Sequence, residues 1–117
     1  MEQIAITEKD GANYHLYELE GALNAYTLGE FQDTLYDAVQ KNNIVLDMSR
    51  LIELDASGIG LLMAAYNDSE DVGHKLYFMA MSNEAEKAIA ATGFKYVFNL
   101  INSVIAICSI IESSPML

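Results

Sequence analysis

A chain of 117 residues, 52% of them apolar and only one of them proline, has the length for one domain and the composition for a substantial core, not for disorder. Seventeen acidic residues stand against six basic ones, a formal charge of −11. This argues against nucleic acid or an anionic membrane held on a basic face; it favours a basic or mixed-charge protein partner, with plain solubility as the alternative reading of the acidity.

The N-terminus, Met1-Glu2-Gln3-Ile4, has neither the positive region nor the apolar stretch of a signal peptide. Residues 4–9 read as a first strand and 14–20 as a second, joined by Asp10-Gly11-Ala12-Asn13, whose side chains suit a tight turn. So short a connection implies antiparallel pairing, and Gly21 is expected to stop the second strand. Leu28, Phe31, Leu35, Ala38 and Val39 fall on one face of a helix over 27–41, with Thr27 and Glu30 in capping-box spacing. Ile44-Val45-Leu46-Asp47-Met48 is the short apolar run of a central strand covered on both faces, and 49–54 reads as a loop.

A second helix is expected over 57–71. Ile59, Leu62, Met63 and Tyr66 form its core stripe, and Leu61, Ala64 and Ala65 add apolar surface elsewhere. Residues 75–80 read as a fourth strand and 83–91 as a helix with Asn83 and Glu86 in capping spacing, closed by Gly93. A last short strand over 94–98 and a mostly apolar helix over 102–112 follow, with 113–117 as a frayed tail. Cys108, the only cysteine, excludes an intramolecular disulfide and reads as a buried thiol, which fits a reducing cytoplasm; the near-apolar run 101–111 is too short to span a bilayer. The whole, 1–117, reads as a single α/β domain: a mixed, mostly parallel sheet of four or five strands, packed with about four helices through right-handed crossovers.

Enzymatic readings find little support. Neither His15 nor His74 has a cysteine or second histidine at metal-ligand spacing, so no metal site is implied. There is no phosphate loop; Gly58-Ile59-Gly60 is only a fragment of a dinucleotide fingerprint, since Met63 occupies the third glycine position. Asp55 stands where a nucleophile elbow around Ser57 would need glycine, and nothing supplies an orienting acid and an oxyanion site together for a Ser57–His74 pair.

What remains is Leu54-Asp55-Ala56-Ser57-Gly58-Ile59-Gly60, where a strand hands over to a helix. Helix N-termini carry unsatisfied N–H groups and partial positive charge. Asp55 or Ser57 can cap them, with Gly58 for a tight turn and Gly60 for close approach to the sheet. The other reading is that Ser57 is a hydroxyl held out for modification. Two glycines in a first turn each cost about 1 kcal/mol against alanine, small neighbours leave Ser57 accessible, and Leu61 and Ala65 lie one and two turns on, where a partner docks. A phosphate at Ser57 would sit at a helix N-terminus but be opposed by Asp55, Glu53 and the acidic chain. It would break a docked complex without unfolding the domain.

The segment Ile44-Val45-Leu46-Asp47-Met48-Ser49 followed by Leu54-Asp55-Ala56-Ser57-Gly58-Ile59-Gly60-Leu61-Leu62 resembles the signature of STAS domains, and in particular of bacterial anti-sigma factor antagonists. Leu19-Glu20-Gly21-Ala22-Leu23-Asn24, Lys75-Leu76-Tyr77-Phe78 and Ala91-Thr92-Gly93-Phe94 carry the resemblance over nearly the whole chain. It implies a non-enzymatic, cytoplasmic STAS domain that acts by partner switching. The unphosphorylated form binds an anti-sigma factor that is also a serine kinase, and a sigma factor is released. Phosphorylation at Ser57 ends the binding, and a PP2C-type phosphatase restores it. Mg-ATP belongs to the kinase, so no cofactor is implied for this chain. Asp55 sits beside the phosphoacceptor, with Asn24 and Asp47 at the same end of the sheet and Ala56, Gly58, Ile59, Gly60, Leu61 and Ala65 forming the partner surface. Asn24 departs from the many antagonists that have Asp there, which bears on kinase recognition. The competing reading is a constitutive STAS scaffold in a transporter or signalling complex, using the apolar second and last helices as a fixed interface. A hydrolase using Ser57 is a third.

Overall fold

The computed structural model describes residues 3–92 and 99–101. Its elements run β1 (Ile4–Asp10), β2 (His15–Leu23), α1 (Leu28–Lys41), β3 (Ile44–Leu54), α2 (Ala56–Asp71), β4 (Leu76–Met79), α3 (Asn83–Thr92) and β5 (Asn99–Ile101). The five strands form one sheet in the order β1-β2-β3-β4-β5. β1 and β2 are antiparallel, as the short turn requires, and every later pair is parallel. When each parallel crossover has the same hand and steps the same way, its helix lands on the same face. Phe31, Leu35 and Val39 of α1, Ile59 and Leu62 of α2, and Ala85 and Ile89 of α3 accordingly share one core with Leu19, Ile44, Leu46, Met48 and Phe78 of the sheet.

Alternation within the strands places a second, smaller cluster on the opposite face: Leu16, Val45, Tyr77 and Met79. This separates Leu16 from Tyr17, which belongs to the main core. The mixed, mostly parallel α/β sheet expected from the sequence is the one observed. The expected strand over 94–98 and helix over 102–112, with Cys108, lie outside the described residues; the fifth strand is at 99–101.

Several boundaries differ from expectation. Gly21 does not end β2. Its φ of +110° takes up an irregularity in the β2–β3 register, and the carbonyl oxygen of Gln3 lies 2.3 Å from where a Cβ would be, so the strand bends and continues. β3 does not end at Met48 but runs to Leu54, because Leu51 and Leu54 keep packing into the core after a second register shift opposite Glu18 and Glu20. Thr27 makes no side-chain cap for α1; its hydroxyl donates to the Ala22 carbonyl at 2.7 Å. The cap of α3 comes one residue earlier than expected, from Ser82, whose Oγ accepts from the Ala85 N–H at 3.1 Å. Among the described residues no helix is long and apolar enough to cross a membrane.

Candidate functional site

The extra length of β3 carries the Leu54–Ala56 turn to the far end of the sheet, beside the end of β2, where Leu23 pairs with Leu54. Two backbone segments meet there: the start of α2 and the loop from Asn24 to Thr27. Asp55 joins them. Its Oδ1 accepts from the Gly58 N–H at 2.9 Å and caps α2; its Oδ2 accepts from the Ala25 N–H at 3.2 Å. Its own N–H donates to the Leu23 carbonyl at 3.3 Å. The approach is close enough that a Cβ on Gly58 would lie 2.6 Å from the Leu23 oxygen. Gly58 is therefore the residue of close approach. Gly60, expected in that role, has open space where a Cβ would be and is exposed.

With Asp55 as the cap, Ser57 is left in the first turn of α2, half-buried. Its hydroxyl has no hydrogen-bond partner among the described residues. Ala56 and Gly60, its exposed neighbours in the first turn of α2, carry at most a methyl.

Asn24 organises the facing loop. It is 2% exposed, and its Oδ1 accepts from the N–H groups of Tyr26 and Thr27 at 2.9 and 3.2 Å. Its Nδ2 donates to Glu53 Oε1 at 3.0 Å. Asn24 thus does for the entry of α1 what Thr27 was expected to do. The loop holds Tyr26 outward at 89% exposure, with Ile52 of β3 also exposed. Sequence reading missed Thr27 and Tyr26 as parts of the site, and had Glu53 there only as a charge, not as the acceptor of the Asn24 amide. Its one available sign was the two-residue spacing of Glu53 and Asp55, which would be shared by one face of an extended strand.

The structure thus brings together Asn24, Asp55, Ala56, Ser57, Gly58 and Gly60. Three residues expected on the partner surface are in the core instead: Ile59, Leu61 and Ala65 are 7, 3 and 0% exposed. α2 packs against α1 as well as against β3 and β4, so more than one side of the helix is covered. Asp47 is also elsewhere. It pairs with Glu18 and Met79, and its Oδ1 accepts from the N–H and hydroxyl of Ser49. The lengthened β3 separates it from Leu54 by seven residues, roughly 20 Å of extended chain.

A Ser57–His74 pair is excluded by distance. Ser57 lies in the first turn of the 16-residue α2, roughly 24 Å long, and His74 lies beyond its last, with His74 Nδ1 donating to the Val39 carbonyl at 2.8 Å. Among the described residues, no group of three or more His, Cys, Asp or Glu is placed to hold a metal ion.

Comparison with known proteins places this geometry. The family model described as the STAS domain matches residues 3–106. An anti-sigma factor antagonist from Mycobacterium paratuberculosis superposes with a TM-score of 0.81 at 17% identity, covering 94% of this chain and 95% of that one. The anti-sigma factor antagonist SpoIIAA in its unphosphorylated form gives 0.76 at 18% identity, with 92% and 97% covered. The phosphorylated form of the Bacillus cell fate determinant SpoIIAA gives 0.70 at 19% identity, with 91% and 99% covered. The chain belongs to the STAS domain family.

Proposed function

We propose that this chain is an anti-sigma factor antagonist switched by phosphorylation of Ser57. The observation that carries the reading is that Asp55 takes the capping role, so the Ser57 hydroxyl is engaged by no described group at an accessible helix N-terminus. Structural likeness to antagonists, one of them known in phosphorylated and unphosphorylated forms, supports it. In the unphosphorylated state the low surface of Ala56, Ser57 and Gly60, bordered by Tyr26, docks an anti-sigma factor that is also a serine kinase, and the sigma factor is freed. The Ser57 oxygen attacks the γ-phosphorus of the kinase's Mg-ATP and ADP leaves. The hydroxyl proton passes to a base on the kinase, while each Asp55 oxygen goes on holding its N–H donor. The phosphoserine, carrying about −1.5 to −2 charge, then stands beside Asp55 and Glu53 in an acidic chain, and the complex separates by repulsion and desolvation. A PP2C-type phosphatase resets the switch in the cytoplasm.

The test is binding to the cognate anti-sigma factor by calorimetry. Ser57→Ala retains binding and Ser57→Asp loses it; equal binding by the two variants refutes the reading. Burial of Leu61 and Ala65 takes these residues out of the docking surface expected for the switch and out of the fixed interface expected for a scaffold alike.

A further inference from the structure

Among the described residues, Tyr26 is the large apolar side chain that stands furthest out of the surface. One exposed aromatic is ordinary on a folded domain. The backbone that carries this one sets it apart. Three consecutive N–H groups are held beneath it: Ala25 donates to Asp55 Oδ2 at 3.2 Å, Tyr26 to Asn24 Oδ1 at 2.9 Å, and Thr27 to the Asn24 carbonyl at 3.1 Å. Asn24 is itself tied to β3 through Glu53, and Thr27 to the end of β2 through the Ala22 carbonyl. The ring therefore stands on a fixed platform. Asp55, one of its supports, is also the cap of α2 next to Ser57.

An aromatic presented in this way is suited to binding. A tyrosine ring buries a large apolar area for two side-chain torsions, and a loop already held pays little further ordering cost. The charge around it states what kind of surface it meets. The segments 21–40 and 51–74, which build this end of the domain, contain no lysine or arginine, and Glu53 and Asp55 lie under the loop. Arg50, at the border, already faces Glu20 at 3.9 Å. The complementary surface is an apolar socket with basic side chains at its rim.

We propose that Tyr26 is the anchor of the docking surface around Ser57, its ring entering such a socket on the anti-sigma factor. The identity of that partner rests on the Ser57 reading; the anchor itself rests on the exposure and fixed backbone of Tyr26. Seating the ring closes the partner over the start of α2, where a phosphate on Ser57 loses its water. Anchor and switch thus act on one closed contact: the ring supplies the affinity and the serine decides whether it can be used.

Binding of the full chain to the purified cognate anti-sigma factor is followed by surface plasmon resonance, with Tyr26→Ala, Tyr26→Phe, Val72→Ala, Ser57→Ala and Ser57→Asp beside the wild type. Tyr26→Ala is expected to weaken binding about thirtyfold, the loss falling on the dissociation rate. Tyr26→Phe keeps the ring and stays within about threefold of wild type. Val72→Ala removes another exposed apolar side chain, at the far end of α2, and leaves the affinity unchanged. Tyr26 is 89% exposed, so its alanine variant keeps the wild-type melting temperature and reports on docking rather than folding. Tyr26→Ala binding within about threefold of wild type, or an equal loss in Tyr26→Phe, overturns the anchor even where Ser57→Ala binds and Ser57→Asp does not. Equal binding by the two Ser57 variants with a weakened Tyr26→Ala overturns the switch and supports the anchor. Absence of binding by the wild type overturns both.

Discussion

Replacing Asp55 with alanine removes two interactions at once, and the structure sets their sizes. The first is the cap on Gly58 N–H at 2.9 Å, worth about 1 kcal/mol. The second is the link to Ala25 N–H at 3.2 Å, partly open to solvent and worth about 0.5–1 kcal/mol. The sum, about 1.5–2 kcal/mol, corresponds to a fall in Tm of about 6–8 °C for a chain of this size. Urea unfolding followed by circular dichroism measures it, with Ser57→Ala as the companion. Because Ser57 is not the cap, its alanine variant stays within about 0.5 kcal/mol of wild type. Amide exchange at Gly58 and Ala25 quickens in Asp55→Ala and not in Ser57→Ala. If Ser57→Ala proves the more destabilising of the two, the division of labour between cap and free hydroxyl is wrong, and the main support for the switch falls with it.

Gly58→Ala and Gly60→Ala should move stability in opposite directions. A methyl at 58 meets the Leu23 carbonyl at 2.6 Å and costs about 1–3 kcal/mol, whereas one at 60 meets open space and gains up to about 1 kcal/mol of helix propensity, both read as shifts in urea midpoint. Asn24→Asp places a second carboxylate against Glu53 in a site that is 2% exposed. We expect a loss of about 1–3 kcal/mol at pH 7 that shrinks on acidification as the pair takes up a proton, and that Glu53→Gln reverses. Tyr17, Tyr66 and Tyr77 are each raised above 10.0, first by burial. A group raised in the folded state contributes stability that is present below its unfolded value and lost as pH climbs through the folded one. Unfolding midpoints should therefore fall above about pH 10, with a shallower fall in Tyr17→Phe.

Most of the architecture was legible because it rests on periodicity. Phe31, Leu35 and Val39 at helical spacing, and the run 44–48, leave few alternatives. The errors came where tertiary contacts override local pattern. Gly21 and the 49–54 segment look like chain breaks, yet the sheet absorbs both as irregularities of register, because Leu51 and Leu54 gain more by burial than a loop would. The added length of β3 is also what separates Asp47 from the end of the sheet where the resemblance put it with Asn24. Leu61 and Ala65 were expected outside because a helix in a small domain seldom has several buried sides; α2 does, since α1 packs against it. The choice between Asp55 and Ser57 as cap could not be made from two adjacent capping residues, and only the atomic arrangement decides it.

The length of β3 has a consequence for how the chain behaves among copies of itself. Past the Asp47–Met79 pair, β3 runs on to Leu54 with β2 as its only strand neighbour among the described residues. Such a stretch offers half-used main-chain groups on which another polypeptide can crystallise into a growing ribbon. Here the two register breaks fall within that same stretch and spoil its regular repeat. The exposed Arg50 adds a charge any incoming strand would have to bury, and Ser82 N–H already occupies the Met48 carbonyl at 3.1 Å. The irregularities that carry Asp55 to its place also break the even repeat that strand addition along this part of β3 needs.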